Sequence, residues 1–305
     1  MAEQLLACQL INIATLLAVT YHLFFEYKYR IRYYKREETA TIDEIQHPVV
    51  RTVLQFMKIR DGVDIVHHAD LPAQSGLGSS STFTVSLLNV LRALKTINTD
   101  KYDLAKDAIF IEQKLIKENV GSQDQIAAAY GGLNRIDFNA SDGFRVNPIF
   151  LRDYSTVTSH MLLFFTGIMR SANEVAMEQI KNIPQNKSLL KEMMTQVNEA
   201  GSILQSKSID MKIFGNLLHE QWRIKKSLAS NISNKSIDEI YELGLKNGAY
   251  GGKILGAGGG GFILFIADPS VQLNIIRALN HFINVPVDID LNGSHIIYSS
   301  GLGSS

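Results

Sequence analysis

The stretch Leu71-Pro-Ala-Gln-Ser-Gly-Leu-Gly-Ser-Ser-Ser81 decides the reading of this chain. A short segment, Val63–His67, reads as a strand leading into it. Gly76 and Gly78 permit a tight turn, and three serines then open a segment with helical periodicity, Ser79–Leu94, whose apolar face is Phe83, Leu87, Leu88 and Leu91. Successive backbone N–H groups at such a turn can point at one anion. The helix start adds unpaired donors and the positive end of its dipole. Serine hydroxyls there can cap the helix, bind a phosphate oxygen or ligate Mg²⁺. A plain helix cap needs fewer glycines and serines than these. No lysine follows the second glycine, so the loop is not a Walker A motif.

Outward from this loop the pattern is that of alternating strands and helices. Tyr27–Tyr34 alternates basic and apolar side chains at the period of a half-exposed strand. Glu44–Lys58 predicts a helix with Pro48 near its start. Tyr102–Glu118 predicts another, with Leu104, Ala108, Ile111 and Leu115 on one stripe, and Gln123–Tyr130 a third, closed by Gly131-Gly132. Leu133–Phe138 reads as a strand and 139–155 as a linker. A second domain opens on the apolar strand Met161–Phe165. Helices near 171–181, 188–206, 211–229 and 236–247 follow, then a second glycine-rich loop over Gly251–Gly261, a strand at Phe262–Ala267, a helix at 270–282 and a last strand at Ile296–Tyr298. The expected domains are 1–155 and 156–305.

Three further features carry candidate chemistry. Gly256, Gly258 and Gly261 nominally match G-x-G-x-x-G, but this loop precedes a strand, whereas the dinucleotide fingerprint follows one and opens a helix. Ordering four consecutive glycines costs backbone entropy, which close approach to a ligand or another loop would explain. Glu112 falls at the edge of its helix's apolar stripe, and spacing alone favours a solvated edge residue. If buried, it needs a metal ion or a basic partner. Asp124 stands where a helix begins, fit to act as a base or simply to serve the helix dipole.

Bulk properties exclude several classes. Lys plus Arg and Asp plus Glu number 30 each, so no basic field argues for nucleic acid. The single cysteine, Cys8, excludes an intramolecular disulfide and a cysteine metal cluster, and suits a reducing cytoplasm. Residues 4–25 carry no Asp, Glu, Lys or Arg, and Lys28, Arg30 and Arg32 follow. That run is long enough to span a bilayer, but Gln4, Gln9, Asn12, Thr15 and His22 weaken a lipid-facing helix. A buried strand pair or core helix over Leu10–Tyr21 is the competing reading.

Taken together, these residues resemble the GHMP kinase superfamily. Pro72–Ser80 is similar to its ATP-phosphate loop and Lys253–Gly261 to its third motif, which packs beside that loop. The stretches 43–48, 123–134, 165–171 and 218–222 look most like the D-glycero-D-manno-heptose 7-phosphate kinases. The resemblance implies an α/β (α+β) two-domain fold, with a ribosomal protein S5 domain 2-like N-terminal domain and a ferredoxin-like C-terminal one. It implies phosphoryl transfer from ATP, with Mg²⁺, to the anomeric hydroxyl of a heptose 7-phosphate. Carried over residue by residue, Asp124 is the catalytic carboxylate. Pro72, Gly76, Leu77, Gly78, Ser79, Ser80, Ser81, Gly256, Gly258 and Gly259 bind the nucleotide. Ser80 and Glu112 hold the metal, and Arg170 and Gln123 face the substrate. The implied partner is a small-molecule sugar phosphate, with neither nucleic acid nor a membrane; a homodimer is allowed for, and the location is cytoplasmic. The chain departs from the family at its start. The usual first strand with a motif like Arg-x-Ser-x-x-Gly-Gly-Gly-Thr-Asp has no counterpart in residues 1–27. A truncated or altered N-terminus would leave a sheet edge and part of the substrate pocket exposed. The alternative it raises is a catalytically impaired homologue that binds nucleotide or a partner.

Overall fold

The computed structural model describes residues 3–8, 10–11, 15–21, 27–69, 76–139, 143–169 and 172–299. In chain order the elements are β1 Glu3–Cys8, β2 Leu10–Ile11, β3 Thr15–Tyr21, β4 Tyr29–Arg32, β5 Arg36–Thr39, α1 Pro48–Phe56, β6 Val63–Ala69, α2 Ser79–Leu94 and α3 Lys101–Phe110. A π-helical segment, Ile111–Ile116, continues α3. Then come α4 Gln123–Tyr130, β7 Leu133–Asn139, β8 Gly143–Pro148, α5 Tyr154–Thr158, β9 Met161–Phe165, α6 Ala172–Asn182, α7 Lys187–Leu204, α8 Met211–Leu228 and α9 Lys235–Lys246. The last are β10 Ala249–Ile254, β11 Phe262–Ala267, α10 Gln272–Ala278, β12 Ile283–Val285 and β13 Asp288–Ile289.

Contacts divide the chain into two compact units that do not follow chain order. One comprises Ile13–Pro72, Ser79–Gly131 and Asn292–Ser305; the other comprises Met1–Asn12, Ala73–Gly78 and Gly132–Leu291. The expected cut at 155/156 falls inside the second of these.

The unit containing α2 is built on a sheet in the order β3-β6-β4-β5. β4 and β6 run parallel, and β3 pairs antiparallel with β6 from Thr15↔Ala69 to Tyr21↔Val63. The alternation expected around Tyr29–Arg32 holds: Tyr29 and Ile31 are buried, while Arg30 and Arg32 turn to Asp64 of β6 as an ion-paired cluster. α1 starts at Pro48, whose missing N–H costs nothing at a first turn, and His47 Nδ1 caps it by accepting from the Val50 N–H at 3.4 Å. Val53, Leu54, Leu87, Leu88 and Leu91 are fully buried together with Ile65. Burial of that kind contributes about 1.5–3 kcal/mol per side chain.

In the other unit β10-β11-β9-β12 form an antiparallel sheet, with α6 to α9 joining β9 to β10 and α10 joining β11 to β12. Numbered within this domain, the strand order is 2-3-1-4 with helical crossovers, which is the ferredoxin-like arrangement. Its core holds Leu162, Phe164, Trp222, Ile240, Tyr241, Ile254, Ile263 and Phe265. α8 lies backbone-close on β10: a Cβ at Gly251 would stand 2.0 Å from the Gly215 carbonyl oxygen, and one at Gly215 2.5 Å from Tyr250 Cβ.

Several expectations are corrected. The described residues of the N-terminal run lie in the strands β1, β2 and β3, and among the described residues no helix is long and apolar enough to cross a membrane. β3 is also not a buried strand, because Leu16 is 47% exposed. Residues 3–8 do supply a strand, β1, which pairs with β7 along its length, from Glu3↔Phe138 to Cys8↔Leu133. A short apolar run does not distinguish strand from helix by itself; the partner strands, more than 100 residues away for β1, make the choice. The presumed linker contains β8, a hairpin partner of β7. Gly251 and Gly252 lie inside β10, with a register shift between Ala249 and Gly251, so the second glycine loop begins only after Ile254. Residues 296–298 form no strand, and α10 is shorter than the expected 270–282.

Candidate active site

Gly76 and Gly78 adopt φ of +80° and +70°, the left-handed conformation that a tight turn before a helix needs. Gly78 is followed directly by Ser79, the first residue of α2. Pro72 lies outside the described residues, as does Arg170. Leu77 and Ser79 are half-buried, and Ser80 is exposed.

The second glycine loop touches the first. A Cβ at Gly256 would stand 2.2 Å from the Gly76 carbonyl oxygen, and Gly256 has φ +65°. Only glycine permits that approach. Gly258 (φ +115°) would meet the Ile232 carbonyl oxygen at 2.9 Å, and Gly259 has φ +78°. The second glycine-rich loop therefore packs beside the first through a backbone-to-backbone contact between Gly256 and Gly76. Gly256→Ala is expected to cost about 2–4 kcal/mol from the left-handed backbone and the forced displacement. A thermal melt of the variant checks this, and an unchanged melting temperature would refute the contact.

Glu112 is completely buried, against the solvated position its spacing favoured. The π segment explains the difference. The Lys117 N–H bonds to the Glu112 carbonyl, Lys117 is left-handed at φ 65°, and the widened turn rotates the wheel. Leu115, expected on the apolar stripe, is 43% exposed as a result, while Glu112 turns inward. Its Oε2 accepts from Ser81 Oγ at 2.8 Å and from Gln125 Nε2. Its Oε1 has no hydrogen-bond partner among the described residues. The hydroxyl that meets Glu112 is thus that of Ser81; Ser80 contributes its carbonyl to Thr84 Oγ1 at 3.2 Å. Among the described residues no group of three or more His, Cys, Asp or Glu side chains could hold a metal. A Mg²⁺ ion needs only one or two protein oxygens when phosphates supply the rest.

Asp124 is half-buried in the first turn of α4, next to half-buried Gln123. The cap residue, Ser122, makes no side-chain cap bond; its hydroxyl instead accepts from Gln113 Nε2 at 3.1 Å. The helix start favours negative charge at Asp124. Gln125, one residue on, is buried against Glu112, so α4 contributes one side chain to the buried carboxylate and its neighbour at the helix mouth. Gln125 is a residue that sequence reasoning passes over; its only signal is its place beside Asp124.

Lys253, in the third-motif stretch, lies on β10 with Nζ 3.1 Å from Gln221 Oε1. Desolvation pushes its pKa down from 10.5 to about 8. The depressed value means that the folded state disfavours the charged amine. Below about pH 8 both states are protonated and the full penalty applies; it is relieved as pH rises toward the unfolded value of 10.5. Lys253→Met is expected to melt higher than the parent at pH 7. The gap should narrow between pH 8 and 10; a constant gap across that range would refute the assignment.

The geometry defines a chain with two glycine-rich loops in mutual contact and a buried carboxylate–serine pair at the start of the helix that follows the first loop. Residues 46–132 match the family described as GHMP kinases N terminal domain, and residues 202–284 match GHMP kinases C terminal. This chain belongs to the GHMP kinase family and has its two-domain fold. The D-glycero-alpha-D-manno-heptose 7-phosphate kinase of Campylobacter jejuni subsp. jejuni is 33% identical over 234 residues, 75% of this chain and 68% of that protein. The L-fucokinase/L-fucose-1-P guanylyltransferase of Bacteroides fragilis is 29% identical over 229 residues, 72% of this chain but 24% of that protein. A solved structure of a D-glycero-D-manno-heptose 1-phosphate kinase from Bacteroides thetaiotaomicron shares the fold with a TM-score of 0.78 at 22% identity, covering 98% of this chain and 92% of that one.

Proposed function

We propose that this chain is an ATP-dependent sugar kinase that phosphorylates the anomeric hydroxyl of D-glycero-D-manno-heptose 7-phosphate to give the 1,7-bisphosphate. The observation that carries the reading is the 33% identity to a kinase named for that sugar, over three quarters of the chain. The site's chemistry is compatible with it. Positive-φ glycines before α2 allow the tight turn in which backbone amides can converge on an anion, and the α2 start adds its dipole. The buried Glu112 carboxylate, with one oxygen unpartnered beside the Ser81 hydroxyl, suits a hard cation that prefers oxygen ligands. When bound, Mg²⁺ would neutralise charge on the transferring phosphoryl group. Asp124 orients the acceptor hydroxyl and takes its proton. Gln123 and Arg170 are assigned to the sugar phosphate, Arg170 as a bidentate clamp on its existing phosphate. The absent Arg-x-Ser-x-x-Gly-Gly-Gly-Thr-Asp motif raises a non-catalytic homologue as the alternative; no relative favours it.

The test is ADP release with Mg²⁺-ATP against a panel of sugars and sugar phosphates: heptose 7-phosphate, heptose 1-phosphate, fucose and galactose. Turnover with heptose 7-phosphate at the highest kcat/KM supports the proposal. Higher kcat/KM with another sugar replaces the substrate. No ADP release with any sugar, while ATP still binds, overturns the kinase reading.

A further inference from the structure

The second glycine-rich loop is held by its carbonyls. Lys225 Nζ of α8 donates to the Gly256 carbonyl. Gln179 Nε2 of α6 donates to the Ala257 carbonyl at 2.8 Å, and Asn234 Nδ2, at the start of α9, reaches the Gly259 carbonyl at 3.5 Å. Each tie comes from a different helical element. In a trans peptide the C=O and the following N–H point in opposite directions, and the described residues contain no cis bond. The N–H groups of Ala257, Gly258 and Gly260 therefore each face away from the side chain that holds the preceding carbonyl. None of the three donates to a backbone carbonyl among the described residues, whereas the N–H of Gly259 donates to Ile232 and that of Gly261 to Ile168, both at 2.7 Å. Gly260 is buried, where an N–H without an acceptor is costly.

We infer that Lys225, Gln179 and Asn234 are positioning residues that present the amides of Ala257, Gly258 and Gly260 to a phosphoryl oxygen. The kinase reading supplies the two sources of that oxygen, the nucleotide and the sugar phosphate. Lys225 acts through the loop carbonyl rather than on the ligand. The experiment uses the full chain with Lys225→Met, Lys225→Arg, Gln179→Leu and, as a surface control, Lys191→Met. Mg²⁺-ATP, heptose 7-phosphate and inorganic pyrophosphate are titrated separately, with thermal melts alongside.

Lys225→Met is expected to weaken binding of one phosphorylated ligand about tenfold, and the affected ligand identifies the source. Gln179→Leu, which changes no charge, weakens the same ligand, and Lys225→Arg restores most of the loss. Affinities within about twofold of the parent in both Lys225→Met and Gln179→Leu would overturn the inference. So would loss on Lys225→Met alone, which is a charge effect without positioning, or a parent that binds none of the three ligands. Binding without turnover removes the kinase reading and leaves this test intact.

Discussion

Asp124→Asn is expected to lower kcat by roughly 10²- to 10⁴-fold, the range a positioned general base contributes, with KM for ATP little changed. The variant keeps the shape of the side chain and its place in the first turn of α4, so folding is not at issue. What it removes is the ability to accept a proton. The helix start favours negative charge at that position, and the amide forfeits that too, at a cost of about 0.3–1 kcal/mol, too small to unfold the chain. Steady-state kinetics on parent and variant at saturating ATP check the result. A kcat within about threefold of the parent would remove Asp124 from the chemistry and leave it as a helix-start carboxylate.

Glu112→Gln is expected to separate activity from stability. In the parent a carboxylate is fully buried, with donors from Ser81 and Gln125 on one oxygen and no partner for the other. Burying a charge without full compensation costs several kcal/mol, and a neutral amide of the same shape relieves much of that. The variant should therefore melt at or above the parent temperature. Turnover should fall about 100-fold or more, with a higher Mg²⁺ concentration needed for half-maximal rate, because the lost charge is the one that suits a cation. Functional sites commonly hold groups that the fold would be more stable without. A melt lowered by several degrees with turnover retained would instead make Glu112 a structural acceptor for Ser81 and Gln125.

Much of the architecture was legible because it is local. α2, α4, β9 and β11 begin and end where periodicity and glycine punctuation place them. The turn at Gly76 and Gly78 is readable because left-handed backbone calls for glycine at those positions. The place of Asp124 in the first turn of a helix is readable from the helical run that begins at Gln123. Less accessible were the features that depend on distant partners. The strand character of β1 depends on β7, and that of β3 on β6. The π turn that carries Glu112 inward has no sequence period of its own, so a wheel drawn at 3.6 residues per turn placed Glu112 at the edge and Leu115 inside.

By itself the sequence determined the two glycine-rich loops, the helix each side of Glu112 and Asp124, and the resemblance to one kinase family, since these rest on residue types that backbone conformation and chemistry require at short range. Tertiary structure alone decided three things. It made the described stretches 3–8, 10–11 and 15–21 of the N-terminal run into strands rather than one long helix, because strand partners satisfy their backbone. It brought Gly256 against Gly76, because only folding closes the long loop between them. It chose Ser81 and Gln125, rather than solvent, as the surroundings of Glu112, because one widened helical turn rotates that carboxylate into the core.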